Sequence, residues 1–315
     1  MSSGRAPVTI TTSEAPLVAF AREVGEQGPV AAMGGRTQWT VGGQLDPGTR
    51  LVATPVGIAS HQPAEMIVRV RAGTPVGELD AALAERGQMC PLDPLAPERA
   101  TVGGVLSVGR SGVRRLRYGP ARDTLLETRA VTAQGRLVKA GGPVVKNVSG
   151  FDLCRLLVGS LGTLALLAEV VLRTRPLPAE ARWFLGPGDP FGARRRLFRP
   201  SSILWDGRHV WVLLEGDPAD VAAEARALGR VFAEVAEPPE LPTGGRLSLR
   251  PTELAGLPKR AAELGGFVAE IGVGTVHVGA ALPPSPPHAS THELHRRVKA
   301  AFDPTHRLNP GRQPV

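Results

Sequence analysis

Alternation of apolar and polar positions cuts the chain into short elements. From Pro16 to Gly28, Leu17, Phe20, Ala21 and Val24 recur at helical spacing and predict an opening helix. Val30 to Met33 predicts a short strand running into Gly34-Gly35-Arg36-Thr37-Gln38, and Leu51 to Thr54 and Met66 to Val70 predict two more strands. Val76 to Arg86 reads as a helix, with Thr74 as N-cap, Pro75 at the first helical position, and Leu79 and Leu83 on the buried face. Thr101-Val102-Gly103-Gly104 opens a short apolar helix. Leu125 to Ala133 alternates, Gln134-Gly135 turns the chain and Arg136 to Lys139 returns, which predicts a β-hairpin.

The stretch from Val144 to Pro176 organises the rest. Lys146, Asn147, Ser149 and Gly150 form a polar turn. Phe151 to Val158 predicts a helix with Leu153, Leu156, Leu157 and Val158 on one face and Arg155 in solvent, and Gly159-Ser160-Leu161-Gly162-Thr163 breaks it. Leu164 to Leu172 has the length and β-branched ending of a buried strand, although periodicity alone leaves a helix open. The character changes after Pro176-Leu177-Pro178. Trp183–Leu185, Ser202–Trp205 and His209–Leu214 predict strands, Pro218–Gly229 a helix, and Gly265–Ile271 with Thr275–Leu282 a final strand pair. Pro283 to Pro287 makes a stiff linker before a helix from Ser290 to Ala301. The domains expected are 1–178, a small α+β cap at 179–288, and a C-terminal helix and tail at 289–315.

Composition narrows the function classes. At 315 residues and 42% hydrophobic, the chain can bury a sizeable core. The opening Met-Ser-Ser-Gly-Arg lacks an apolar signal core and no run suits a membrane helix, so a cytoplasmic protein is expected, reaching a membrane only through partners. Cys90 and Cys154 form no C-x-x-C pair and read as structural thiols. An iron–sulfur cluster takes about four cysteines, so this chain alone cannot hold one. The net charge of +8 is almost all arginine, scattered except for Arg194-Arg195-Arg196 and with few aromatics, which argues against nucleic acid and for a solvated face or an acidic partner. His288, His292 and His295 read as a solvated helix face rather than metal ligands, and His277 as a hydrogen-bonded strand residue.

Two corners carry candidate chemistry. A strand that ends in adjacent glycines, as at Gly34-Gly35, gathers consecutive N–H groups around a concavity that suits a pyrophosphate. Thr101 before Gly103-Gly104 places a helix N-terminus where it would present N–H groups to an anion. No G-x-G-x-x-G, P-loop or G-x-S-x-G motif accompanies them. A plain turn explains either corner equally well on local grounds.

Lys146-Asn147-x-x-Gly150-x-Asp152-Leu153-x-x-Leu156, followed by Gly159-Ser160-x-Gly162-Thr163-Leu164, resembles the signature of the vanillyl-alcohol-oxidase or PCMH-type FAD-binding family. The members sharing these residues are FAD subunits of glycolate oxidase and their D-lactate dehydrogenase relatives. The resemblance covers residues 28–178 and 302–312, and the region between only loosely. It implies a mixed α/β, two-subdomain FAD-binding domain with a small α+β cap. It assigns FAD to Gly34, Gly35, Arg36, Thr37 and Gln38, and to Thr101, Val102, Gly103, Gly104, Ser107, Ser111, Gly112, Tyr118, Gly119 and Asp123. Lys146, Gly150, Gly162, Glu169, Val170 and Asn309 complete the set, with Lys146 stabilising negative charge near the flavin. The chain departs from the pattern at Met33, where an arginine is common, and at Arg36, where a third glycine or a flavin-linking histidine stands. Non-covalent FAD follows.

Leu161, where catalytic chains carry glutamate, and a short cap without their histidine motif point to the FAD-binding E-type subunit of glycolate oxidase. Its partners would be a sister flavoprotein catalytic subunit and an iron–sulfur subunit, and its small-molecule substrate a 2-hydroxy acid. Two alternatives stay open. One is a stand-alone FAD-dependent 2-hydroxy-acid dehydrogenase, and the other is a cofactor-free structural subunit. No catalytic residue and no metal ligand is assigned.

Overall fold

Contacts divide the chain into two units, one formed by residues 1–112, 120–177 and 287–315, the other by 113–119 and 178–286. The computed structural model describes residues 13–142, 152–282 and 289–314. The expected sites Lys146 and Gly150, the turn residues around them, Phe151, the proline linker and His288 lie outside the described residues.

In the first unit, helix α1 (Ala15–Val24) buries Leu17, Phe20 and Val24, three positions on one helical face, and stops at Gly25. Strands β1 (Val30–Met33) and β2 (Arg50–Ala53) pair in parallel. Then follow β3 (Ile58–Gln62), β4 (Ile67–Arg71), α2 (Val76–Ala84), the short β5 (Gln88–Met89) and α3 (Val102–Val108). The chain next gives one turn, α4 (Arg115–Tyr118), to the second unit. It returns for β6 (Leu125–Val131), β7 (Leu137–Gly141), α5 (Leu153–Leu157), β8 (Leu166–Arg173) and β9 (Arg175–Pro176). An antiparallel sheet forms in the order β3-β4-β8-β6-β7.

Strand β8 explains its own sequence. Leu167, Val170 and Leu172 join Val76, Leu79, Leu83, Val105 and Leu106 of α2 and α3 in one core, while Leu166 and Ala168 join Leu17, Phe20 and Val24 of α1 in another. A strand covered on both faces reads as a continuous apolar run, which is why periodicity left it ambiguous. Three local expectations change. Pro75, not Thr74, is the N-cap of α2, and the Thr74 hydroxyl instead bonds Gly57, accepting from its N–H at 2.9 Å. In α5, Cys154 and Leu157 are buried and Leu156 faces solvent, with Asp152 capping the helix. Strand β3, between two proline-bearing stretches, had no sequence counterpart. Burial pushes the Cys154 thiol up to about 11, and Cys90 is also buried and in no disulfide.

The second unit contains β10 (Glu180–Pro187), α6 (Pro190–Arg196), β11 (Ser202–Trp205), β12 (His209–Gly216), α7 (Pro218–Leu228), β13 (Ala233–Val235), β14 (Gly245–Ser248), β15 (Phe267–Glu270) and β16 (Thr275–Val278). They build an antiparallel sheet ordered β13-β10-β12-β11-β15-β16-β14. Phe184, Val212 and Leu214 of the sheet share a core with Ala193 of α6 and with Val221 and Leu228 of α7. Trp205 meets Phe191 and Phe267 edge-on at 6.2 and 5.7 Å. His277 pairs with the buried Glu270 at 2.9 Å, as a satisfied strand histidine should.

Helix α8 (Ala289–Phe302) leads into a tail that is fixed to the first unit by buried charge. Arg307 donates to the carbonyls of Val24, Gly25, Gln27, Gly28 and Ala133, most of them at the end of α1. Lys299 Nζ donates to Asp303 at 2.5 Å, to the Thr163 carbonyl at 2.7 Å and to the Leu308 carbonyl at 3.0 Å. Leu308 then bridges Val30 in parallel, beside the strand that opens the candidate site.

Candidate functional site

A cleft in the first unit collects residues from four distant stretches. Its cavity volume is about 110 Å³, and its walls are Ala32 and Gly34 to Trp39, Val41, Thr54, the corner at Thr101, Gly103, Gly104, Ser107 and Val108, the bend at Leu161-Gly162 with Leu166 and Leu167, and the tail residues Asn309 and Arg312. Among the described residues no lining residue is acidic and two are arginines. The cleft is therefore set for an anionic ligand with an apolar portion.

The glycine pair after β1 lets two loops touch. A β-carbon on Gly35 would run into the Arg99 carbonyl, and one on Gly34 into the Thr101 hydroxyl. Among the described residues, the N–H groups of residues 34–38 have no backbone acceptor. Arg36 bends the loop with a left-handed φ of 57°, so consecutive N–H groups turn about one concavity.

The second corner is built differently. Val102 N–H donates to the Thr74 carbonyl at 2.9 Å and Gly103 N–H to the Ala72 carbonyl at 2.7 Å. Gly104 N–H donates to the capping hydroxyl of Thr101 at 3.2 Å. The first-turn donors of α3 are thus occupied by the fold, and do not point unpaired at a ligand as expected from sequence. A β-carbon on Gly103 would lie 2.6 Å from Ala72 Cβ, so this glycine serves helix–strand packing and its missing side chain does not face the cleft.

The third wall joins the bend after α5 to the tail. Leu161 has φ 54° and Gly162 φ 69°, and Asn309 Nδ2 donates to the Gly162 carbonyl at 3.0 Å. Asn309 N–H donates to Val30, tying this wall to β1. Asp303 underlies the arrangement. Burial alone would raise its carboxyl, but Lys299 and the N–H groups of Leu308 and Arg307 outweigh it and hold it below the ordinary carboxylate range.

Eleven expected residues line the cleft: Gly34, Gly35, Arg36, Thr37, Gln38, Thr101, Gly103, Gly104, Ser107, Gly162 and Asn309. Others lie elsewhere. Val102 and Val170 are core residues. Ser111 accepts from Ala121 N–H at 3.0 Å, Gly112 sits against Asp93, and Asp123 pairs with Arg155 at 3.0 Å. Glu169 is buried on β8 and receives Arg69 at 3.2 Å. Tyr118 and Gly119 belong to the second unit, where burial, with Glu215 nearby, raises the Tyr118 phenol. Sequence reading missed Trp39, Val41, Thr54 and Arg312. The Arg312 guanidinium lies 5.0 Å from the Trp39 ring centroid and Arg36 lies 5.2 Å from it. Only Arg312, just beyond Asn309-Pro310-Gly311, stood within a segment already singled out.

No three His, Cys, Asp or Glu residues cluster as metal ligands among the described residues, and no helix there is long and apolar enough to cross a membrane. The glycine-tight walls, unpaired loop donors and cationic lining fit a dinucleotide. Residues 6–141 match the family described as FAD binding domain. The glycolate oxidase subunit GlcE of Escherichia coli is 32% identical over 69% of this chain and 64% of its own length. A D-lactate dehydrogenase of Archaeoglobus fulgidus is 44% identical over 33% of this chain and 24% of its own length, and glycolate oxidase subunit GlcD of Bacillus subtilis 34% over 37% and 25%. The matches therefore span less than two thirds of these relatives. In fold, the chain resembles solved structures of alkyldihydroxyacetonephosphate synthase, with a TM-score of 0.69 at 14% identity, over 96% of this chain and 75% of that one. Residues 6–141 therefore carry an FAD binding domain of the PCMH type, and the chain is similar to FAD-dependent oxidoreductases.

Proposed function

We propose that the cleft of the first unit holds FAD without a covalent link, and that the chain is the FAD-binding subunit of a complex oxidising glycolate to glyoxylate. The observation that carries the binding reading is the acid-free, two-arginine lining around a loop whose N–H groups lack backbone acceptors. The flavin, when bound, supplies the hydride acceptor for a 2-hydroxy acid. The chain's part is to hold and orient it. Residues 34–38 offer N–H donors, Asn309 fixes the bend at Gly162, and Leu161, Leu166 and Leu167 supply apolar wall. Arg36 stands where a linking nucleophile would be needed, and among the described residues no cysteine or histidine lines the cleft.

The glycolate assignment rests on the likeness to GlcE and GlcD, and the 2-hydroxy-acid class also on the D-lactate dehydrogenase. We add as partners a sister catalytic flavoprotein, in line with the two subunits GlcE and GlcD, and an iron–sulfur subunit. Two buried cysteines on distant elements are too few for a cluster in this chain, which supports an electron route through such a partner. The test supplies FAD, glycolate and an artificial dye to the isolated chain, then adds the partner subunits. The expected result is flavin bound and released intact by acid, with rapid dye reduction only after addition. Equal dye reduction before and after would favour a stand-alone dehydrogenase instead. Failure to bind FAD at all would leave the cofactor-free subunit.

A further inference from the structure

Trp39 carries two guanidinium groups, from residues far apart in sequence, on the wall of the cleft. Arg36 lies 5.2 Å and Arg312 5.0 Å from its ring centroid. Each is held in place by the protein. Arg312 Nη1 donates to the Val41 carbonyl at 2.8 Å, and Arg36 Nη2 meets the Met33 sulfur at 2.8 Å. Neither has a side-chain carboxylate partner among the described residues, whereas Arg69 and Arg129 of the first unit's sheet are paired with carboxylates. Two like charges gathered on one ring repel unless an anion joins them. Burial also lowers the Arg312 guanidinium from its ordinary value, the direction that an arriving anion reverses.

The backbone adds an independent argument. Arg36 adopts φ 57°, a conformation that glycine takes without cost and a residue with a β-carbon does not. Keeping an arginine there works against local preference, as a residue retained for its side chain would. The α3 corner cannot supply the missing positive potential, because its first-turn N–H groups are already bonded to Thr74, Ala72 and Thr101.

We propose that Arg36 and Arg312, braced on Trp39, form a cationic clamp that takes the diphosphate of the dinucleotide. The inference rests on the FAD reading of the same cleft and assigns to two side chains the charge recognition that the α3 corner does not perform. Guanidinium forks bind phosphate oxygens in pairs, and Trp39 holds them pre-oriented so that less freedom is lost on binding.

The test uses the full chain, with FAD and ADP as probes, ADP carrying the diphosphate without the flavin. Affinity is measured by calorimetry at low and high salt, beside thermal unfolding of the ligand-free protein. Arg36→Gly should weaken both probes about tenfold, and Arg36→Gly with Arg312→Gln about a hundredfold, with a flatter salt dependence. Arg36→Gly should leave the melting temperature near wild type, because relief of the left-handed φ offsets the lost ring contact. Arg36→Lys, which keeps the charge but not the fork, should recover part of the affinity. Variants that bind FAD and ADP like wild type would overturn the clamp, as would an Arg36→Lys protein no better than Arg36→Gly. Binding of ADP but not FAD by wild type would keep the clamp and remove the flavin reading, and binding of neither would remove both.

Discussion

The Gly34-Gly35 loop and the Gly103-Gly104 corner look alike in sequence and are put to opposite uses. One glycine pair follows strand β1 and the other lies in the first turn of α3, and each suggests backbone donors around a phosphate. In the first, glycine permits two loops to touch, and the N–H groups of 34–38 stay without backbone acceptors. In the second, Gly103 packs on Ala72, and the donors of the first helical turn are bonded inside the fold. A glycine pair records a close approach of backbone. Whether a ligand or a neighbouring strand makes that approach is decided by where the hydrogen bonds go.

That contrast can be broken by substitution. The largest effect is expected from Gly103→Val, whose side chain meets Ala72 Cβ and, at 2.9 Å, the Ala72 carbonyl. It should destabilise the first unit by about 3 kcal/mol by overpacking, seen in thermal unfolding without any ligand. A Gly103→Val protein that melts like wild type and only loses FAD would place the glycine against the ligand instead.

Asp303→Asn comes next and tests the support of the third wall. It leaves Lys299 beside a neutral amide and should cost about 2 kcal/mol near neutral pH. The wild-type contribution has a definite pH window. The folded carboxyl lies below its ordinary value of 3.8, so the unfolded chain takes up the proton first. Stability from this group is full above 3.8 and is lost as pH falls through the lower folded value. Denaturant midpoints between neutral and strongly acid pH should show this acid limb in wild type and a shallower one in Asp303→Asn. The last substitution, Gly35→Ala, acts on the other corner. Its β-carbon would stand 1.6 Å from the Arg99 carbonyl, so the two loops must part, which should cost about 1–3 kcal/mol and weaken FAD about tenfold or more, read by thermal unfolding and flavin titration.

The elements were legible wherever a face was repeated. Leu17, Phe20 and Val24 announced α1, and the alternation of Leu125 to Val131 announced the hairpin with β7. Strand β3 was not legible because its burial fades along its length and a proline follows it at once. Leu156 and Cys154 exchanged roles because a five-residue helix is too short for period to fix its phase. The cleft was half legible. Residues 34–38, Gly162 and Asn309 advertise themselves by turn chemistry and by the family signature. Trp39 and Arg312 could not be paired from sequence, since only the return of the tail beside Val30 brings them together. The same reason hid the transfer of Val113–Gly119 to the second unit, which no linker composition marks.

The central claim is that residues 34–38 meet the cofactor while residues 102–104 build the fold. Amide hydrogen exchange of the full chain, with and without saturating FAD, reads both corners in one measurement. Amides of residues 34–38 should exchange quickly in the free protein and slow markedly with FAD, while Val102, Gly103 and Gly104 should be protected in both. Protection that appears at 102–104 only on adding FAD, with 34–38 unchanged, would contradict the account.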